Sequence, residues 1–158
     1  MQPQALGNMV RALIPGRPPN QHLRYTPAEV LWLAAYRHAR AAGLEAWPCR
    51  QFVGSPGMRL MLEALLARAT PDPIDAVKRL RNVPILFGCR YSFTESGHET
   101  EIAGEPLLIE AQRLPDKLTD PCVGAGGGGI ARLTMFLTPL RQPLLVLERV
   151  IQENGNAA

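Results

Sequence analysis

The sequence is poor in the residues that build covalent or metal-stabilised folds. Its three cysteines, Cys49, Cys89 and Cys122, are widely spaced and form no C-x-x-C pair, so they predict neither a disulfide framework nor a zinc module. No apolar run approaches the roughly 18 residues of a membrane span, and no lysine or arginine precedes Arg11, which disfavours a secretory signal. We therefore expect a cytoplasmic protein with no membrane partner, no metal and no cofactor.

Catalytic signatures and internal repeats are also lacking. The apolar fraction of 46% and the charged fraction of 20% are those of an ordinary globular protein and exclude collagen-like, coiled-coil and strongly disordered classes. Proline is abundant, with 15 copies among 158 residues, which predicts short elements separated by many breaks. The length suits one domain, which we place at residues 25–153.

Lysine is scarce, and the positive charge lies mainly in the first half of the chain. Only Lys78 and Lys117 accompany the arginines, whose planar groups favour bidentate contact with phosphate or carboxylate. The formal charge is +5 up to Ala69 and −2 from there onward. A GC-rich genome explains an arginine preference equally well, so the charge layout alone does not identify a partner.

Residues 1–24 are predicted to be a flexible basic arm. Leu6, Met9, Val10 and Leu13 follow the i, i+3, i+4, i+7 spacing of an amphipathic helix over residues 5–14. A helix of this length is unstable alone, and the prolines from Pro15 to Pro19 interrupt it. The segment is therefore expected either to fold back on the domain or to dock on a partner.

The clearest helix signal spans residues 26–42. Thr26 and Glu29 have capping-box spacing, and Pro27 occupies the first helical position. One predicted face, expected to pack closely against another element, contains Val30, Leu31, Ala34, Ala35, His38, Ala41 and Ala42. His38 is interpreted as a hydrogen-bonded core residue.

The other face of this helix is a candidate binding surface. Trp32 and Tyr36 fall beside Arg37 and Arg40 on a helical wheel. Aromatic rings next to guanidinium groups can stack bases or clamp a partner. The alternative is that both rings are simply buried.

Further helices are predicted from capping residues and apolar spacing. Residues 44–54 indicate a turn or a single helical turn, and helices are expected to start at Pro56 and Pro73. The first of these two helices presents Met58, Met61, Leu62, Leu65 and Ala69 at core spacing.

The period then changes to alternation, which is typical of a strand from Val83 onward. Ile85, Phe87, Cys89, Tyr91 and Phe93 share one face. Ile102 and Leu107–Ala111 predict one or two further strands around a turn at residues 103–106. Residues 113–123 are expected to be irregular. Residues 130–140 fit a helix and a strand about equally, and we favour the strand. Pro143–Gln152 is expected to form the last helix before a loose tail at 154–158.

Two charged or flexible segments are further candidates. Glu95, Glu99, Glu101 and Glu105 form an acidic stretch with no nearby cation in the sequence, suited to a basic partner. The run from Gly124 through Gly126 to Gly129 matches G-x-G-x-x-G, with Arg132 as the nearest cation. Such a loop can hold a phosphate, but a flexible hinge or close backbone packing explains it equally well.

These features predict an α+β fold: a helical N-terminal layer packed on a small, mostly antiparallel sheet, with a C-terminal helix. The favoured function is that of a noncatalytic adaptor, inhibitor or small subunit that acts on nucleic-acid machinery. A protein partner, DNA or RNA, and a second copy of the chain all remain open. The predicted partner-binding residues are Arg24, Trp32, Tyr36, Arg37, Arg40 and Arg59.

Two other functions stay open. A winged-helix DNA regulator would use residues 56–69 as its recognition helix and residues 94–105 as its wing. A small enzyme would hold a phosphorylated ligand at the glycine run.

Overall fold

The computed structural model describes residues 25–96, 99–119 and 130–155. The predicted α+β architecture is confirmed: within these ranges, six helices accompany one three-stranded antiparallel sheet. The helices are α1 (Pro27–Ala41), α2 (Ala46–Pro48, continued by a π-helical turn at Cys49–Val53), α3 (Pro56–Ala69), α4 (Pro73–Leu80), α5 (Leu114–Thr119, after a 3-10 turn at Ala111–Arg113) and α6 (Arg141–Gly155). The strands are β1 (Ile85–Ser96), β2 (Glu99–Glu110) and β3 (Ile130–Pro139).

The starts of α1, α3 and α4 are set by local capping, as the sequence predicts. In α1 the Glu29 backbone N–H donates to Thr26 Oγ1 at 3.2 Å, and the Thr26 N–H donates to Glu29 Oε2 at 2.8 Å. At the start of α3 the Met58 N–H donates to Ser55 Oγ, and at the start of α4 the Ile74 and Asp75 N–H groups donate to Asp72 Oδ1. Each helix has proline in its first turn, where the missing N–H costs no hydrogen bond.

β1 is the central strand, and its alternation predicts its buried face correctly. Ile85, Phe87, Cys89 and Tyr91 are all buried, and β2 and β3 pair with β1 on either side. Helices cover this face, so that one cluster of buried residues includes members of α1, the π-helical turn, α3, α4 and α6. Its largest fully buried side chains are Trp32, Phe87, Leu31, Met58, Leu62, Leu140, Leu144 and Leu147.

The opposite face of the sheet contains an ion pair in which the cation is buried and the carboxylate is partly exposed. The side chain of Arg90 is only 7% exposed, and its guanidinium donates to Glu105 Oε1 at 2.6 Å and to the Lys117 carbonyl at 3.2 Å. The Arg90 charge is therefore paired with a carboxylate of β2 and also hydrogen-bonded to a backbone carbonyl of α5. The prediction of an irregular connection was wrong for the residues that form α5.

The predicted turn at residues 103–106 was also wrong, because β2 continues without a break through Gly104 and Pro106. Strand order β2-β1-β3 places β2 at an edge of the sheet. Proline is tolerated there because an edge strand does not need every N–H for pairing. The strand prediction for residues 130–140 is confirmed, and α6 extends beyond both of its predicted ends.

Candidate functional site

A groove lies between α1 and α6 and has a volume of about 570 Å³. Apolar side chains predominate in it, as in most ligand and peptide sites. It is lined by Tyr25, Val30, Leu33, Ala34, Arg37, His38, Ala41, Gln142, Pro143, Val146 and Val150.

Helical periodicity places these side chains in the groove. Val30, Ala34 and His38 recur every four residues on α1, and Val146 and Val150 are likewise four apart on α6, so each set shares one helix face. Small side chains on α1 leave space between the two helices. The face predicted from the sequence to pack closely therefore lines an open groove over part of its length.

One hydrogen bond ties the two sides of the groove together. His38 Nε2 lies 3.1 Å from Thr138 Oγ1, and Thr138 is near the end of β3, just before α6. The predicted hydrogen bond of His38 is therefore present, but the residue is half-buried and lines the groove instead of lying in the core. Its ring contributes to the position of α1 relative to the start of α6.

Arg37 is the arginine among the described residues that line the groove. It is exposed, and Arg141 and Arg149 are exposed on α6. Glu153 is an exposed acid one turn beyond Val150. An apolar floor with cationic side chains near it suits the apolar face of a helix that has acidic residues on its flanks.

Trp32 is not part of a binding surface, contrary to the sequence interpretation. Its side chain is 2% exposed, and its Nε1–H donates to the Val53 carbonyl at 2.8 Å. The face of α1 that contains Trp32 packs against other helices and the π-helical turn, so its indole cannot stack on a base. The alternative interpretation, a buried ring in a helical layer, is the correct one for Trp32.

The other predicted basic and aromatic residues differ in exposure. Arg37 and Arg40 are exposed, whereas Tyr36 and Arg59 are half-buried. Arg40 donates to the Leu44 carbonyl. Burial raises the pKa of Tyr36, and the nearby Arg50 and Arg40 oppose this effect only in part. Arg24 lies outside the described residues.

The acidic stretch is only partly available as a partner surface. Glu105 forms the ion pair with Arg90. Strand pairing places Glu95, Glu99 and Glu101 near the same end of the β1–β2 hairpin, where Glu95 is opposite Thr100 and Glu101 is opposite Thr94. The side chains of these three glutamates lie outside the described part of the structure.

The glycine run cannot be placed in the same way. Gly124, Gly126 and Gly129 lie outside the described residues. Arg132 belongs to β3 and is opposite Phe93, but its side chain is not among those described. The phosphate-loop hypothesis therefore stays a prediction.

The described thiols are poorly suited to nucleophilic chemistry. Cys49 and Cys89 are fully buried, and burial raises the pKa of each thiol to about 12. At neutral pH both remain protonated, whereas the thiolate is the reactive form. Among residues 25–96, 99–119 and 130–155, no group of three or more histidine, cysteine or acidic residues could hold a metal ion.

An exposed aromatic residue that sequence reasoning did not select is Trp47. Its side chain is 44% exposed, and its ring centroid lies 6.0 Å from Phe52, 6.4 Å from Tyr91 and 6.3 Å from Phe93. The alternation of β1 places Tyr91 and Phe93 on one face, but no local pattern shows that α2 brings Trp47 to them. The four rings form an aromatic cluster with one open side.

No helix in the described part of the chain has the length and apolar character needed to cross a membrane. Comparison with known proteins gives no relative: no family model matches the chain, and no curated protein or solved structure is significantly similar to it.

Proposed function

We propose that this chain is a noncatalytic binding protein, an adaptor, inhibitor or small subunit, whose docking surface is the groove between α1 and α6. Its partner is a protein that presents an amphipathic helix with acidic flanks. The observation that carries the proposal is the apolar groove itself, with Arg37 in its lining.

The dimensions of the groove support a helix as the bound element. The lining residues of α1 run from Val30 to Ala41, which corresponds to about 17 Å of helix. Recognition of a helix in a groove uses apolar anchors at i, i+3, i+4 and i+7, and about three turns fit this length. Valine and alanine at four-residue intervals on both walls offer shallow apolar contacts to such anchors.

Charge supports the choice of an acidic partner. Arg37, Arg141 and Arg149 are exposed on the two helices that form the groove. Carboxylates beside the apolar anchors would face these guanidinium groups, and such complementarity mainly raises association rate and selectivity. Arg37 thus has a role that does not require nucleic acid.

A glutamate in place of Val146 should abolish binding of such a helix. Val146 is 48% exposed in the groove, so V146E leaves the free protein folded but places a carboxylate where the bound helix would desolvate it. We expect at least about a tenfold loss of affinity, or 1.4 kcal/mol. The measurement is fluorescence anisotropy of a labelled three-turn peptide with leucines on one face and glutamates elsewhere.

Matched controls distinguish binding in the groove from nonspecific hydrophobic binding. Leu60 is an apolar residue of α3, 58% exposed and not part of the groove lining, so L60E should leave the affinity unchanged. A peptide of the same composition with its leucines scattered should bind poorly. Arg37→Glu should weaken binding of the acidic peptide and strengthen binding of a peptide in which lysines replace the glutamates. Equal losses for V146E and L60E would exclude the groove as the docking surface.

Binding of single-stranded nucleic acid is a second candidate, favoured by the open side of the aromatic cluster. Trp47 can stack on a base, and the exposed Arg50 follows it by three residues. This candidate requires binding that falls steeply with salt and is lost in Trp47→Ala but kept in V146E. Binding of a labelled oligonucleotide across a salt series distinguishes it from the first proposal.

A further inference from the structure

We infer that residues 5–14 of this same chain occupy the groove between α1 and α6 as an amphipathic helix when no partner is bound. This inference rests on the proposed function, because it names the segment that the partner must displace. It makes the N-terminal segment an internal competitor for the docking surface.

The path of the chain is the first argument. Tyr25 is the first described residue, and its side chain lines the groove. The 24 residues that precede it therefore join the domain at the groove itself.

The sequence of the segment matches what the groove accepts. Leu6, Met9, Val10 and Leu13 have the i, i+3, i+4, i+7 spacing of a single apolar helix face. Ten residues of helix extend about 15 Å, which is shorter than α1. Docking would bury the apolar face of the segment and would cover the exposed apolar surface of the groove.

The connection allows the segment to reach the groove. Residues 15–24 span up to about 33 Å when extended, enough to reverse direction and return along α1. Pro15, Pro18 and Pro19 are residues that disfavour helix and favour an extended connection. A short tether of this kind gives an effective concentration of about millimolar, so even weak contacts can keep the groove covered.

Charge makes this occupant replaceable. Arg11 is the only charged residue of segment 5–14, and helical spacing places it roughly opposite the apolar face. The segment therefore offers no carboxylate to Arg37. A partner helix with acidic flanks adds the charge contacts that the segment lacks, and so displaces it.

Cysteine cross-linking in the full chain tests the contact. In a Cys122→Ser background, we pair Met9→Cys with Val146→Cys and follow disulfide formation in dilute solution by intact mass and non-reducing electrophoresis. The native Cys49 and Cys89 are fully buried and should not take part in the cross-linking. We expect this pair to form an intramolecular disulfide at least about ten times faster than the controls below.

Two controls make the result specific. Met9→Cys with Leu60→Cys places the second thiol on an exposed part of α3, and Arg11→Cys with Val146→Cys uses the opposite face of the segment. Both should react slowly. Equal rates for all three pairs would overturn the inference, because a segment that only collides with the surface has no preferred face or partner.

The acidic peptide separates this inference from the proposed function. The cross-linked protein should lose peptide binding, and reduction of the disulfide should restore it. If the peptide binds at Val146 but the cross-link is not selective, the inference fails and the proposed function stands. If the cross-link is selective but the locked protein still binds the peptide, the segment occupies the groove and the proposed docking surface is wrong.

Discussion

Substitution of Gly88 by alanine should lower the free energy of unfolding by at least about 3 kcal/mol. A Cβ atom at this position would lie 1.9 Å from the Phe136 carbonyl oxygen and 2.8 Å from its carbonyl carbon. These are backbone atoms of β3, so a change of rotamer cannot relieve the clash and the central strand must move away from its neighbour. Overpacking of ordinary side chains costs about 1–3 kcal/mol, and a clash with backbone exceeds this. Urea denaturation followed by circular dichroism measures the change.

Gly57→Ala is the matched control. A Cβ there would meet only Ser55 Oγ at 3.6 Å and Pro106 Cγ at 3.8 Å, which are ordinary contacts. Because Gly57 lies in the first turn of α3, alanine there should be neutral or stabilising by up to about 1 kcal/mol. Similar stabilities for the two variants would show that β1 and β3 do not approach each other as described.

Trp32→Ala should have the next largest effect, a loss of about 3–5 kcal/mol. The side chain is almost completely buried, and the substitution removes both its packing and the donor to the Val53 carbonyl. A domain of this size has a stability of about 5–15 kcal/mol, so the variant is expected to be marginal at physiological temperature. Thermal and urea unfolding both report this loss.

Trp47→Ala provides the comparison, since these are the only two tryptophans in the chain. Trp47 keeps 44% of its surface exposed, so its removal should cost roughly 1–2 kcal/mol, mainly from lost ring contacts. A greater loss for Trp47→Ala than for Trp32→Ala would contradict the assignment of Trp32 to the core and would return it to the list of surface candidates.

Local signals in the sequence are sufficient for most elements of this fold. The start of α1 follows from Thr26 and Glu29, because a capping box satisfies backbone donors within four residues. β1 follows from the alternation of Ile85, Phe87 and Cys89, because one of its faces contacts the core. Both signals depend on near neighbours in the chain, and both predictions are confirmed.

Features that depend on distant neighbours were not predictable in this way. Gly104 and Pro106 are typical turn residues, but β2 continues through them because it lies at the sheet edge. At Gly104, a Cβ would lie 2.5 Å from Cζ of Phe52, so the absence of a side chain there serves tertiary packing. Only the fold shows whether a glycine forms a turn or allows close packing.

The candidate site was predicted in part. Arg37 was selected from the sequence, and it lies in the groove. A helical wheel cannot show which face of α1 contacts α6 and which contacts the π-helical turn. For this reason Trp32 was assigned to a binding surface although it lies in the core. Val146 and Val150 had no signal of their own, since valines at helical spacing usually belong to a core.

An NMR titration of the isotope-labelled full chain with the acidic leucine peptide tests the central claim most directly. Binding in the groove predicts that the largest amide shift changes cluster at Val30, Ala34, Val146 and Val150, with changes in residues 5–14 as the segment is displaced. Shift changes confined to the aromatic cluster around Trp47, or no change at any position, would contradict the proposal that the groove between α1 and α6 is the docking surface.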